Sequence, residues 1–346
     1  MSRRLRIAMI APPWFELPPR GYGGIEYMCS YLVDSLVDRG HHVTLVSSGE
    51  NGTKAHHVRT YDAPQWRRLG EPMPEVRHAA SVRRILESLD IDVVHDHSLV
   101  GPLLAAGRAV PTVVTLHEPV TGDYGDYFRL LGDTVRLVAI SEAQRATAPE
   151  LNWCATVHNG VDPAGFRFQR RKADWVLFLG QCMPHKGMHT AIDAARAADV
   201  AIRIAAKCGE PAEIEYFESE IRPRLDKDVE WLGEVGGERK KALLADASCL
   251  MFPIAWDEPF GLVMIEAMAS GTPVVALDRG SVREVVTNGL TGIVCDAAAD
   301  LPNAIRLAAQ LDAEHCRKAA TDAFSSDLMA ERYERVYESA LESRHR

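Results

Sequence analysis

The sequence lacks the features that would point to a membrane or a nucleic acid as its partner. No apolar run reaches the roughly 18 residues that a membrane-spanning helix needs, so no transmembrane helix is expected. Residues 1–6 are basic, but the apolar run after them is short and fits a first strand rather than a signal peptide. The formal net charge is −9 and neither half is basic. Nucleic-acid binding and a strong membrane anchor are therefore not expected.

Cysteines with metal-binding or disulfide spacing are also missing. The seven cysteines are odd in number and scattered, and no C-x-x-C occurs. This usage is typical of reduced thiols, predicts a cytoplasmic protein and argues against a zinc site or a disulfide framework.

The length and the pattern of apolar runs predict an α/β protein with two domains. The 346 residues exceed one typical core, and strand-like runs alternate with helical patterns, which indicates parallel sheets. We expect domains over 1–162 and 175–325, a linker over 163–174, and a final helix over 326–346. Residues 50–80 read as irregular, with helices predicted over 80–89 and 216–225. Two such domains predict a cleft, where small-molecule sites favour forming.

The most informative segment lies between residues 257 and 275. Glu258 and Glu266 have seven residues between them, and Pro259 suits the first turn of a helix. This places Glu258 just before the helix and Glu266 about two turns inside it. The free N–H groups expected at the helix start suit an anion such as phosphate; they belong to Phe260, Gly261 and Leu262. A solvated amphipathic helix is the alternative.

This segment resembles the E-x7-E region of retaining glycosyltransferases with the two-Rossmann (GT-B) architecture, specifically family 4. The resemblance covers nearly the whole chain, and further motifs follow in the family's order. It implies two Rossmann-like domains whose parallel sheets face each other across a cleft, with a final helix that crosses back to the first domain.

A glycine-rich loop precedes the first long helix. The sequence Gly21-Tyr22-Gly23-Gly24-Ile25-Glu26 is not G-x-G-x-x-G, so the dinucleotide fingerprint is absent. The resemblance implies that Gly23 and Gly24 lie by the donor diphosphate and the acceptor, whereas a simple tight turn is the alternative. Glu26 fits a helix-dipole role as well as a functional one.

Histidines follow two predicted strands of the first domain. His117 matches the family's strand-end histidine, and the resemblance implies that it donates a hydrogen bond to the donor sugar and orients it. A structural histidine is the alternative. For His95-Asp96-His97 we favour a structural or acceptor-side role over a metal cluster.

The stretch 178–187 resembles the family's loop for the donor diphosphate. Lys186 is the candidate cation, but Gln181 stands where the family usually has Arg, and a neutral amide cannot clamp phosphate as a guanidinium does. Lys207 is a possible compensating charge. Chelation by His185 and His189, and metal binding by the two D-x-D triplets at 90–92 and 226–228, are rejected.

The resemblance implies a retaining glycosyltransferase that moves a sugar from a nucleotide-diphosphate sugar, of the UDP-glucose or GDP-mannose type, to a hydroxyl acceptor. No metal or other cofactor is expected. Glu258 would hold sugar hydroxyls, Glu266 the ribose, and the backbone of Val235 the base. The acceptor is a small molecule, a glycan or a lipid-linked compound. A sugar-nucleotide epimerase, a glycosyl phosphorylase and a non-catalytic nucleotide-sugar sensor are the alternatives.

Overall fold

A computed structural model describes residues 3–21 and 23–342, so Tyr22 of the glycine-rich loop and the last residues of the predicted 326–346 helix lie outside the described residues. The chain forms two compact units. The first contains residues up to Gly160 together with those from Ser326 onward, and the second is Val161–Ser325. Within the described residues, no helix is long and apolar enough to cross a membrane.

The first unit is built on a seven-stranded parallel sheet with the order β3-β2-β1-β4-β5-β6-β7. Its strands are β1 (Arg6–Ile10), β2 (His42–Ser48), β3 (His56–Tyr61), β4 (Val93–Asp96), β5 (Thr112–Thr115), β6 (Arg136–Ala139) and β7 (Trp153–Thr156). Its helices are α1 (Gly24–Asp38), α2 (Pro72–Glu87), α3 (Gly122–Leu131), α4 (Glu142–Ala146) and, from the C-terminal segment, α12 (Ser326–Glu342).

The second unit has a six-stranded parallel sheet with the order β10-β9-β8-β11-β12-β13. Its strands are β8 (Trp175–Gln181), β9 (Ala201–Lys207), β10 (Val229–Gly233), β11 (Leu250–Phe252), β12 (Val274–Leu277) and β13 (Gly292–Cys295). The helices are α5 (Met188–Ala198), α6 (Pro211–Tyr216), α7 (Gly237–Asp246), α8 (Leu262–Ala269), α9 (Val282–Val285), α10 (Leu301–Ala308) and α11 (Ala313–Phe324). The predicted α/β class with two parallel sheets is confirmed.

Both sheets reverse their winding direction at one point. The reversal lies between β1 and β4 in the first unit and between β8 and β11 in the second. In doubly wound sheets the loops at the carboxyl ends of two such strands diverge and leave a crevice, which is where ligands bind. These two positions are therefore where functional residues are expected.

The C-terminal helix α12 belongs to the first unit because its apolar face completes that unit's core. Tyr333 and Tyr337 are fully buried there beside residues of α1 and the sheet. On the polar side, Arg39 contacts both oxygens of Glu334 at 2.8 Å, and His41 Nε2 lies 2.8 Å from Glu334 Oε1. A bidentate guanidinium–carboxylate contact of this kind fixes orientation as well as adding energy.

Two helix boundaries in the first half of the chain differ from expectation. Residues 50–80 are not irregular, since they contain β3 and the first half of α2. The helix predicted over 80–89 starts eight residues earlier, at Pro72, and ends at Glu87. Proline at the first helical positions costs no hydrogen bond, and Val82 and Leu86 on its buried face reach the sheet.

Two helices of the second unit also differ. The helix predicted over 216–225 is α6, which starts at Pro211 behind a capping box of Glu210 and Glu213 and gives way to irregular helical turns after Tyr216. The helix α8 begins at Leu262, because Gly261 has the left-handed φ of 74°. Pro259 is thus outside the first turn, and Glu266 lies about one turn inside the helix rather than two.

Candidate functional site

The winding reversal of the second unit brings the predicted catalytic pair together. Lys186 lies in the loop after β8 and Glu258 in the loop after β11, and these strands are neighbours in the sheet. Lys186 Nζ donates to Glu258 Oε2 at 2.6 Å, and both side chains are mostly buried, with 17% and 14% exposed. The two residues are separated by 72 positions in the sequence.

Trp256 completes this ion pair and was not foreseen from the sequence. Its indole Nε1 donates to the same Glu258 oxygen at 2.7 Å, and its ring lies 4.5 Å from Lys186 Nζ. The ring face attracts the ammonium group. His185 also approaches this ring, and burial together with the positive charge of Lys186 lowers the pKa of His185.

Two glycines fix the backbone around the pair. Gly187 has a φ of 75°, and a Cβ there would lie 1.9 Å from the Pro253 carbonyl oxygen. Gly280 has a φ of 50°, and a Cβ there would lie 2.4 Å from the Glu258 carbonyl oxygen. The N–H of Ser281 donates to that carbonyl at 3.1 Å. Only glycine allows these loops to approach so closely, so Gly280 is a positioning residue for Glu258.

The start of α8 lies immediately after Glu258 in the sequence. Phe260 is buried, and its carbonyl accepts from Ser281 Oγ at 2.9 Å. The first turn of α8 closes with Met264 N–H donating to the Gly261 carbonyl. Within the described residues, the N–H groups of Gly261 and Leu262 donate to no backbone carbonyl. N–H groups in this position at a helix start can bind an anion, and their contact with the diphosphate stays a prediction.

Glu266 is held by a lysine that sequence reasoning did not identify. Its side chain is 2% exposed, and its Oε1 accepts from Lys240 Nζ of α7 at 2.6 Å. The second carboxylate oxygen is the one that remains for a ribose hydroxyl. The role of Glu266 at the ribose stays a prediction.

Gln181 and Lys207 both contact a buried carboxylate, that of Glu213. Gln181 Nε2 donates to Glu213 Oε1 at 2.7 Å, and Lys207 Nζ donates to the same oxygen at 3.0 Å and to Glu210 at 2.6 Å. The N–H groups of residues 209 and 210 also donate to Glu213. These contacts lower the pKa of Glu213 despite its burial. The charge of Lys207 is therefore already shared by two carboxylates.

Val235 lies in the loop that follows β10 and precedes α7. It is half-buried, and its backbone N–H and carbonyl make no backbone hydrogen bond within the described part of the chain. Its main chain can thus bind a polar edge such as that of a base, which remains a prediction.

In the first unit, the two predicted glycines differ in their surroundings. Gly23 is buried with a φ of 146°, and a Cβ there would meet Pro19 at 2.9 Å and the Glu26 carboxylate at 3.1 Å. Gly24 is exposed, and a Cβ there would meet nothing within 4 Å. Gly23 therefore shapes the turn, whereas Gly24 offers the open backbone that a ligand could approach.

His117 follows β5 and contacts His97, which follows β4. His97 Nδ1 lies 3.0 Å from His117 Nε2, and His97 Nε2 lies 3.2 Å from Met9 Sδ. Burial lowers the pKa of both rings, so both are neutral. Because a thioether is only an acceptor, the proton of His97 belongs on Nε2, and His117 must then donate through its own Nε2. This leaves His117 Nδ1 as an acceptor, so the ring would accept from a sugar hydroxyl rather than donate to it as expected.

His95 is structural, in agreement with one of the two roles favoured for it. Its ring nitrogens lie 2.8 Å from the Tyr337 hydroxyl and 2.8 Å from Thr115 Oγ1, and Tyr333 completes the chain of contacts at Thr115. This buried network connects α12 to the ends of β4 and β5.

Three buried carboxyl groups lie near the winding reversal of the first unit; the sequence had drawn attention to Glu26 and Asp96 but not to Glu75. Burial raises the pKa of Glu26 to about 7, of Glu75 to about 7 and of Asp96 to about 6. Glu75 Oε2 and Asp96 Oδ2 have no hydrogen-bond partner within the described residues. The polar sequence around Glu75 gave no signal of its burial, because that depends on α2 starting at Pro72.

The residues considered and rejected as metal ligands have structural partners. His189 Nδ1 lies 2.6 Å from the Tyr216 hydroxyl. Asp92 contacts Arg6 at 2.9 Å, and Asp226 contacts Arg196 at 2.8 Å. Among the residues that the structure describes, no group of three or more His, Cys, Asp or Glu side chains is placed to hold a metal ion.

Comparison with known proteins places the chain among glycosyltransferases. A family model described as Glycosyltransferase Family 4 matches residues 22–164, and one described as Glycosyl transferases group 1 matches residues 166–324. A relative named phosphatidyl-myo-inositol mannosyltransferase, from Mycolicibacterium smegmatis, is 28% identical over 325 residues, covering 83% of this chain and 80% of the relative.

Solved structures show the same fold. AviGT4, described as a glycosyltransferase involved in avilamycin A biosynthesis, is 29% identical with a TM-score of 0.76, covering 98% of both chains. Anabaena Alr3699/HepE in complex with UDP-glucose has a TM-score of 0.73 at 18% identity, covering 97% of this chain and 100% of that one. The second likeness bears on the fold alone.

Proposed function

Since the chain belongs to family 4 of the glycosyltransferases, we propose that it transfers a sugar, with retention of configuration, from a nucleotide-diphosphate sugar to a hydroxyl acceptor. The transfer needs no metal ion or other cofactor. The single observation that carries this proposal is the Lys186–Glu258 ion pair at the winding reversal of the second unit.

The chemical problem of this reaction is the negative charge that grows on the departing diphosphate. Fixed donors aimed at such a charge in a site with little water stabilise it most effectively. Lys186 supplies a positive charge, and Gly261 and Leu262 supply backbone N–H groups at a helix start. These groups act on the diphosphate, and the acceptor attacks on the face that the diphosphate leaves.

In this mechanism Glu258 binds the hydroxyl groups of the donor sugar. Lys186 and Trp256 both donate to its Oε2, so Oε1 is the oxygen that accepts from sugar hydroxyls. Glu266 holds the ribose, Val235 the base, and His117 Nδ1 a hydroxyl of the reacting sugar. A relative of this chain is named as a mannosyltransferase, which supports a hexose as the transferred sugar and donors of the UDP-glucose or GDP-mannose type.

The test is a panel of nucleotide sugars, screened by thermal shift in EDTA and then with Mg²⁺ or Mn²⁺, followed by NMR of the transfer product. Binding of the right donor raises Tm by mass action. We expect a shift in EDTA with one class of donor, and a product whose anomeric configuration equals that of the donor. Lys186→Gln should lose the shift, whereas Lys227→Gln, at an exposed ion pair with Asp228, should keep it.

Other outcomes would identify a different activity. A change in the donor sugar without any acceptor would indicate an epimerase, and a requirement for inorganic phosphate would indicate a phosphorylase. Donor binding without turnover on any hydroxyl acceptor would indicate a nucleotide-sugar sensor. A shift that requires metal would overturn the proposed mechanism.

A further inference from the structure

The first unit contains a cavity of about 240 Å³ between the edge strand β7 and the helix α12. Its lining includes three arginines, Arg136 at the start of β6 and Arg332 and Arg335 on α12, together with Cys154 and Thr156 of β7. We call it the basic cavity. It shares no residue with the proposed donor site, so ligand binding there is independent of the proposed function.

Two of the three arginines lack an internal counter-charge. Arg335 pairs with Glu331 one turn earlier on α12. Arg136 and Arg332 are half-buried residues, and their guanidinium groups have no ion pair or hydrogen bond within the described residues. The chain as a whole is acidic, with a net charge of −9, so two unpaired arginines that line one cavity are a local feature.

We propose that the basic cavity binds a small molecule bearing a phosphate group. Guanidinium groups match the geometry of phosphate oxygens through paired N–H donors, and their charge is fixed at all physiological pH values. A water occupies about 30 Å³ in the liquid, so the cavity holds a phosphate and several further atoms. The ligand class is therefore a compact phosphorylated metabolite or inorganic phosphate itself.

The basic cavity is placed to influence the rest of the first unit. The helix that supplies Arg332 and Arg335 presents Tyr333 and Tyr337 on its other side, where their hydroxyls contact Thr115 and His95. A ligand that fixes α12 thus acts on the element that holds the ends of β4 and β5. An effect of the ligand on sugar transfer would therefore follow from its binding at the basic cavity and not at the proposed donor site.

Cys154 provides a local probe of occupancy. It lines the basic cavity and is the exposed cysteine of the seven, while Cys208 is half-buried and the others are buried. The full-length protein is treated with iodoacetamide, a neutral reagent, and alkylation of the Cys154 peptide is followed by mass spectrometry. Inorganic phosphate and glucose 6-phosphate are compared with chloride at equal ionic strength.

Occupancy should slow alkylation of Cys154 saturably, by about tenfold when the ligand is at ten times its Kd. The double variant Arg136→Gln/Arg332→Gln should raise the Kd obtained from this protection by about tenfold or more, because two charge-assisted contacts are lost. Arg83→Gln, at an exposed pair with Glu87 on α2, is the matched control and should leave it unchanged.

The variants also distinguish loss of binding from loss of folding. Arg136→Lys with Arg332→Lys keeps the charge but removes the fork-shaped donors, so it should retain a weaker protection. Protection by glucose 6-phosphate alone would identify a phosphorylated metabolite, and protection by both probes would identify the phosphate group as sufficient. Equal effects of phosphate and chloride, or full protection in the folded double glutamine variant, would overturn the proposal.

Discussion

The ion pair between Lys186 and Glu258 predicts that one substitution at Glu258 changes product binding and catalysis in opposite directions. In the free protein the ammonium group is held by the carboxylate at 2.6 Å. A bound nucleoside diphosphate must share this ammonium group with Glu258. Unlike the intact donor, it carries no sugar that Glu258 could bind in return. Glu258→Gln removes the competing charge and keeps the shape of the side chain.

The magnitude follows from the kind of hydrogen bond involved. A bond between two charged groups contributes about 1.5–3 kcal/mol and a neutral one about half as much. Because wild-type Lys186 is only partly shared with Glu258, Glu258→Gln should strengthen binding of the nucleoside diphosphate by about 1 kcal/mol, or about fivefold in Kd. Transfer, in contrast, loses a fixed group at the sugar and should slow by about 10²–10³.

The assay compares calorimetric titration of the nucleoside diphosphate with single-turnover transfer from the intact donor. Glu238→Gln serves as control, because this exposed glutamate of the same unit pairs with Lys241 and should change neither quantity. The reasoning would be refuted if Glu258→Gln, at unchanged Tm, bound the diphosphate more weakly than the wild-type protein. Unchanged transfer would remove Glu258 from the site altogether.

Three further predictions test other parts of the molecule. The Glu26 carboxyl has a pKa of about 7 in the folded protein against 4.5 for the unfolded chain, so between these values the folded state binds more protons and stability falls as pH rises. Glu26→Gln should remove up to about 3 kcal/mol of this loss of stability, measured by urea unfolding at pH 5 and pH 8. An unchanged pH dependence of stability would contradict the burial of Glu26 as a neutral acid. The hydrogen-bond chain predicts that ¹⁵N NMR finds His117 protonated at Nε2, and that His97→Leu mixes its tautomers; protonation at Nδ1 in the wild-type protein would exclude the acceptor role. Gly280→Ala should impair transfer more than Gly289→Ala, because both have positive φ but only the first Cβ meets the Glu258 backbone, and equal kinetics would show that Gly280 does not position Glu258.

Much of the fold could be predicted because its signals are local. Strand-like runs alternate with helical patterns along the whole chain, and this alternation leads to parallel sheets whose carboxyl ends carry the loops. Lys186 and Glu258 were identified because each lies in a loop after a strand and within a recognisable motif. What the sequence could not indicate is that the two form an ion pair, since that requires β8 and β11 to be neighbours across 72 positions.

The missed residues share a different physical origin. Trp256, Lys240 and Gly280 belong to the candidate site only through their contacts with Glu258 and Glu266. A tryptophan, a lysine on a helix or a glycine in a turn is ordinary in isolation. Gly280 has the sequence signature of a turn, but its requirement comes from the Glu258 carbonyl that would lie 2.4 Å from a Cβ. Close approach of two loops from different strands leaves no periodic trace.

The start of α8 shows how tertiary structure overrides a local rule that is correct on average. Proline is favoured in the first turn of a helix, so Pro259 predicted a helix that begins before Phe260. In the structure a Cβ on Gly261 would lie 2.8 Å from both Met264 and Phe252, and the glycine takes a φ of 74° there. The packing of β11 against α8 thus sets the helix start three residues after Pro259. Gly261 and Leu262 lie at the helix start under either boundary, so the proposed diphosphate site keeps these two N–H donors although the helix begins later than the local rule predicts.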